Sequence, residues 1–240
     1  MAAPQETTIQ NLTGNWVLNK TLTTEADSIL KLQKIPWLLR KAFALGTIYI
    51  NISQYKTPDP EQPDPDPKSE RTQPKYLTHV NFTQTSTGRL AGTTENRILD
   101  WKIAEHEDYV FGSVHAQAEY VFGVRDADGK IRPDVRVMID DANEEMRGWL
   151  RGCRCPPGKE REGFLVEGQR EDVGRGDGLW IHTFERSEGG GWVAEQVWGF
   201  EVIGGERYFS RRVVVMEEKG KGKGRYICGR IVFDFLGREE

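Results

Sequence analysis

Three hydrogen-bonding side chains stand among aromatic residues at strand spacing: His182 in GLWIHTFER, Gln196 in GWVAEQVWGF and Tyr226 in YICGRIVFDF. With a period of two, Trp180, His182 and Phe184 fall on one face of their segment. The same holds for Trp192, Ala194, Gln196, Trp198 and Phe200, and for Tyr226, Cys228, Arg230 and Val232. Apolar walls with a few placed donors are the usual make-up of a small-molecule site. Such a site can align two reactants while a donor polarises a carbonyl, with His182, Gln196 and Tyr226 as the expected catalytic donors. In VFGSVHAQAEYVF one face carries Val110, Gly112, Val114, Ala116, Ala118, Tyr120 and Phe122, small enough to leave room for a guest if it points inward. Each of these aromatics also reads as plain core, and a histidine between two aromatics as a satisfied core residue. His115 shares its face with Gln117 and Glu119 and reads as solvent-facing.

Other chemistry is missing from the sequence. There is no Gly-x-Ser-x-Gly elbow, no phosphate-binding loop and no dinucleotide fingerprint. Cys153 and Cys155 form an isolated C-x-C without histidines to complete a zinc site, so no metal is expected. Adjacent acids such as Glu144–Glu145 and Glu217–Glu218 point to opposite faces of a strand and make no acid–base pair. Any reaction here is therefore expected to need no cofactor and little proton transfer. The formal charge of −4 and the lack of a basic face argue against nucleic acid as a partner. The lysines of EEKGKGKGR (217–225) read as a solvated hairpin loop. No apolar run reaches membrane-spanning length, so no membrane partner is expected. MAAPQETTIQ has no signal-peptide pattern, and three cysteines make no disulfide framework, so a cytoplasmic location with free thiols is expected. The N-x-S/T sites at Asn11, Asn19, Asn51 and Asn81 then read as chance.

The elements that must position these residues begin with one strand over about 12–19, containing Gly14-Asn15-Trp16. A helical pair follows at 24–45, with Thr23 or Thr24 as candidate cap, Pro36 between the helices and Gly46 closing the second. TIYINISQY (47–55) then switches to a period of two. The Pro- and Asp-rich segment 56–74 reads as a long surface loop. Beyond it strands are expected at 75–85, 89–103, 109–123, 134–140, 145–152, 163–170, 178–186, 191–203, 207–217 and 224–236. So many consecutive strands are best relieved of their edges by an antiparallel barrel. The expected organisation is a single all-β domain over 1–240, with the helical pair across one mouth.

Gly14-Asn15-Trp16 resembles the Gly-x-Trp of the first strand in calycins, the superfamily of lipocalins and fatty-acid-binding proteins. The order strand, helix–turn–helix, strand is similar to the fatty-acid-binding branch, whose helical pair lies across a barrel mouth. YICGRIVFDF resembles that family's last strand, where an Arg-x-Tyr pair binds a carboxylate. Arg230 stands at the arginine position and Val232 at the tyrosine's. The resemblance implies either a ligand-binding Arg230 or one that packs over Trp16 to close the barrel floor.

NLTGNWVLNKTL, ILKLQKIPWLLRKAF and TTENRILDW together resemble small lipocalin-like proteins of fungal secondary metabolism, some of which are hetero-Diels–Alderases. That resemblance implies a pericyclase joining a quinone methide to a humulene-type terpene. Its pocket would be walled by Tyr120, Trp180, Phe184, Trp198, Phe200 and Arg230. The alternatives are a non-catalytic carrier of a hydrophobic small molecule and a barrel whose interior is simply filled. Fold alone does not choose among them.

Overall fold

The computed structural model describes residues 1–61, 76–87, 92–155, 162–168, 178–218 and 224–238. Strand β1 (Gly14–Leu18) leads into helices α1 (Ala26–Leu32) and α2 (Trp37–Leu45), then β2 (Ile48–Pro58) and β3 (Tyr76–Ser86). Strands β4 (Thr93–Ile98), β5 (Ala104–Asp108), β6 (Gly112–Arg125) and the short β7 (Ile131–Pro133) precede helix α3 (Glu144–Leu150). The chain ends with β8 (Leu179–Ser187), β9 (Trp192–Ile203), β10 (Glu206–Glu217) and β11 (Tyr226–Gly237).

All pairings are antiparallel, in the order β4-β3-β2-β1-β11-β10-β9-β8-β6-β5, with β7 attached to β6. The sheet curls until its two ends approach. Just beyond β4, the Trp101 N–H reaches the Ala118 carbonyl on β6 at 2.8 Å. β4 and β5 themselves are not paired, so the barrel is incompletely closed.

The floor is packed. Trp16 is fully buried, its indole edge on Phe235 (centroids 4.8 Å) and its N–H on the Leu12 carbonyl at 3.0 Å. Ala3, Ile9 and Leu12 join the same core, and Arg207 holds this N-terminal segment through the carbonyls of Pro4 and Thr7, both at 2.8 Å. At the other end α1 lies against β11. Gly229 permits this, because a side chain there would stand 2.6 Å from Ile29 Cδ1. Thr23 and Thr24 do not cap α1. Their hydroxyls instead accept from the N–H groups of Val232 and Arg230, each at 3.0 Å, which β1 is too short to reach.

A second layer covers the outside of β8–β11, and here the structure corrects the expected strands. The 134–140 segment is irregular apart from its hydrogen bonds to β9 side chains. The 145–152 segment is helix α3 with one more turn, capped by Asn143, whose Oδ1 accepts from Met146 N at 2.9 Å. Met146, Trp149 and Leu150 supply its buried stripe at helical spacing. Residues 163–168 form no strand but touch the sheet through a bridge from Phe164 to Glu201, the Leu165 N–H on the Phe200 carbonyl at 2.7 Å and the Leu179 N–H on the Glu167 carbonyl at 2.8 Å. Of the expected 89–103 strand, β4 is the part that forms before a bend at 99–100, 89–91 fall outside the described residues, and β5 lies in the gap left between two expected strands. Of the expected loop 56–74, the first three residues extend β2, and 62–74 fall outside the described residues.

Candidate active site

Alternation on β8–β11 decides what the barrel contains. Leu179, Ile181, Thr183 and Glu185 of β8 face inward, with Trp192, Ala194, Gln196, Trp198 and Phe200 of β9 and Phe209, Arg211, Val213 and Val215 of β10. Between the packed floor and the α1–α2 lid lies a cavity of about 500 Å³. Its walls include Ile29, Leu30, Phe43, Ile48, Phe82, Phe111, Trp192, Val213 and Phe233. This is the size and apolar character of a pocket for a drug-sized molecule.

Lys20, Gln33 and Arg40 line the cavity at the lid, and a second polar group lies on the barrel wall. Arg97 of β4 crosses the interior and bonds to both Glu95 and Glu185. Gln196 Nε2 donates to Glu185 Oε1 at 3.1 Å, and Gln196 Oε1 accepts from Trp198 Nε1 at 3.1 Å. An indole N–H can only donate, so it fixes the amide with its oxygen on Trp198 and its NH₂ toward Glu185 and the cavity. Burial pushes the Glu185 carboxyl above the usual carboxylate range, against the pull of Arg97, and the negative charge of Glu95 adds to the rise. Arg211 sits over the rings of Trp198 (4.1 Å) and Phe82 (4.4 Å) and lines the cavity, and burial lowers its pKa to about 10.

Of the residues expected from sequence, Gln196 lines the cavity, while Trp198 and Phe200 belong to the inner core beside it. Tyr120 also faces inward, but deep, with its hydroxyl accepting from Gln54 at 2.9 Å, and burial pushes its pKa up to about 12. The others share faces as expected, but those faces point outward. Trp180 and Phe184 pack in the outer core with Val121, Trp149 and Val197. His182 is buried there, stacked on Trp101 (4.8 Å), with Nε2 2.7 Å from Glu195 Oε1 and Nδ1 facing Glu119 at 3.6 Å, beyond hydrogen-bond reach. Burial alone would lower the imidazole pKa; the carboxylates of Glu119 and Glu195 outweigh it and leave it raised. Glu119, expected in solvent with His115, lies at the edge of this outer packing with its side chain 39% exposed. Tyr226 donates to Glu145 at 2.7 Å beside a shallow outer depression that also includes Asp140, Arg186 and Glu217. Arg230 neither reaches the cavity nor packs over Trp16. It is buried on the opposite face, 2.6 Å from Glu162 and 3.4 Å from Glu201, which also pairs with Arg212 at 3.0 Å. Sequence reasoning missed Arg97, Glu185 and Arg211; for Glu185 and Arg211 the signal is a charge at an inward parity within largely apolar strands, and the polar strand of Arg97 carries none.

No family model matches the chain. It is 26% identical over 236 residues, 98% of this chain and 95% of the other, to a protein of Mollisia scopiformis named probable pericyclase scpY. It is 24% identical over 237 residues, 99% of this chain and 98% of the other, to a protein of an Acremonium species named pericyclase pydY. A solved structure of a fatty acid transporter mutant aligns over 94% of this chain and 98% of its own, with a TM-score of 0.38 and 9% identity. Among the described residues no helix is long and apolar enough to cross a membrane.

Proposed function

We propose that this chain is a pericyclase, which binds a hydrophobic substrate bearing a conjugated carbonyl in the barrel cavity and closes a ring there. In its most specific form the reaction is an intermolecular hetero-Diels–Alder addition of a quinone methide to a humulene-type alkene, with no cofactor. The observation that carries this reading is the largely apolar cavity of about 500 Å³ with the Gln196–Glu185 pair set in its wall. The two full-length relatives named pericyclases support the reaction class.

Such an addition keeps every atom of both reactants. Two σ bonds form at the expense of π bonds, and neither a proton nor an electron leaves, so the site needs no base and no electron acceptor. The apolar walls hold the two π systems together and remove much of the entropic barrier. The free N–H of Gln196 and, when protonated, the Glu185 hydroxyl donate to the carbonyl oxygen as negative charge builds on it. Arg97 holds Glu185 in place. His182, Tyr226, Trp180, Phe184 and Arg230 act in the outer layer as structural supports of the wall that presents Gln196.

The test incubates a quinone-methide precursor and a humulene-type alkene with the protein and measures rate and enantiomeric excess of the adduct. Accelerated formation of one enantiomer is expected. Racemic adduct at the background rate, with either partner tightly bound, would leave a carrier of hydrophobic small molecules instead. Acceleration of a different ring closure would keep the pericyclase and remove the hetero-Diels–Alder assignment.

A further inference from the structure

Arg211 is an interior cation that feels the charges of Glu95 and Glu185 but bonds to neither of them. Glu95 and Glu185 both bond to Arg97. Arg211 forms no ion pair among the described residues, and its Nε and Nη2 have no hydrogen-bond partner. Trp198, Phe82 and Phe233 surround it within 4.1–5.2 Å of their ring centres, which offsets part of the cost of burying the charge. A buried cation left in this state is expensive unless something else completes it. Nε and Nη2 are closed off, which leaves Nη1 to face the cavity that Arg211 lines.

The sheet register says what that something must look like. Arg211 lies opposite Trp198, and Gln196 opposite Val213, so Arg211 and Gln196 are diagonal neighbours on one face. Diagonal pairs stand roughly 7–8 Å apart at the backbone and are within reach of one another through long side chains. One small conjugated fragment can therefore place one oxygen on the Gln196–Glu185 donors and a second on Arg211.

We infer that the substrate carries an acidic enol or phenol conjugated with its reacting carbonyl, and that Arg211 binds it as the oxyanion. This rests on the pericyclase reading of the same cavity. The charge on Arg211 would hold the ring by its anionic oxygen while Gln196 and Glu185 address the carbonyl. A guanidinium suits this task, because it stays charged at neutral pH and Nη1, the nitrogen not closed off, can donate a charge-assisted hydrogen bond.

Binding, without turnover, tests it. The probes are a long-chain acyl cyclic dione, ionised at neutral pH, and its methyl enol ether, which has nearly the same shape and cannot ionise. Affinities are measured by calorimetry on the wild type, Arg211→Met and Arg211→Lys. The wild type should prefer the dione at least about tenfold, equivalent to about 1.4 kcal/mol. That preference should vanish in Arg211→Met, survive in reduced form in Arg211→Lys, and disappear in the wild type below the dione's own pKa. Equal binding of the two probes by the wild type, or an unchanged preference in Arg211→Met, would overturn the inference. If Arg211→Met does not fold, the pH series and Arg211→Lys still decide it. A protein that fails here but forms adduct from neutral reactants would lose the anion site and keep the pericyclase.

Discussion

Gln196→Leu and His182→Leu should fail in opposite ways, although the two residues sit on neighbouring strands almost side by side. In the ladder Thr183 pairs with Gln196 and His182 with Val197, so one register step separates them and the sheet lies between their side chains. Removing the Gln196 amide strands the Trp198 N–H and takes one donor from Glu185. Leaving a buried donor unmade costs about 1–3 kcal/mol of folding stability. On turnover the loss should be larger, about 2.7–4 kcal/mol, or a hundred- to thousandfold in kcat, as for a donor aimed at developing charge.

His182→Leu breaks a fully buried pair with Glu195, for which about 3–5 kcal/mol is usual. Glu195 keeps three bonds from the backbone N–H groups of Met138 and Ile139, at 2.9, 3.0 and 3.1 Å, so the lower half of that range is expected. The pH dependence identifies the source. A histidine with a raised folded-state pKa stabilises fully below its unfolded value, and that contribution is lost as pH rises through the folded value. The stability gap between wild type and His182→Leu should therefore narrow as the solution is made alkaline, while kcat of the folded variant stays within a few fold. Urea titrations across pH and adduct-formation rates supply both readouts. A folded His182→Leu without turnover, beside a fully active Gln196→Leu, would mean that the wrong face of β8 and β9 has been assigned to the chemistry.

Turnover should be highest below the raised pKa of Glu185 and decline as pH rises through it, whereas Glu185→Gln, which keeps an N–H donor, should flatten the profile; a wild-type rate unchanged across that range would remove Glu185 as a donor. Glu201→Ala should cost about 3–5 kcal/mol by chemical denaturation, because it strands Arg212 and leaves Arg230 only Glu162. Trp16→Ala should lose about 3–5 kcal/mol through the cavity left among Leu12, Phe209 and Phe235, and a normal melting temperature would contradict a packed floor.

The positions of β1–β3, β6 and β8–β11 were legible because a period of two is visible where one face is apolar, as in Ile48, Ile50 and Ile52 of β2. The helical pair was legible from its spacing and from Pro36 and Gly46. Which face of β8 and β9 looks inward was not legible, for a physical reason. The outer layer of 134–155 and 162–168 buries the far side of these strands as thoroughly as the cavity side, so β8 is buried at every position from Leu179 to Glu185. Alternation then groups Trp180, His182 and Phe184 correctly without saying where they point. α3 could have been read from Asn143 and from Met146, Trp149 and Leu150 at helical spacing, against the expectation of another strand. The same two-sided burial explains why the charged residues were missed. Arg211 and Arg212 are adjacent and project to opposite faces. Arg212 is closed by Glu201 and by the carbonyls of Trp149 and Arg154, and so is bound into structure. Arg211 has aromatic rings and Nη1 left to face the cavity, and so remains available to a ligand. On a sheet covered on both sides, the presence of a buried charge does not say which layer it serves; that depends on whether the protein supplies its partner.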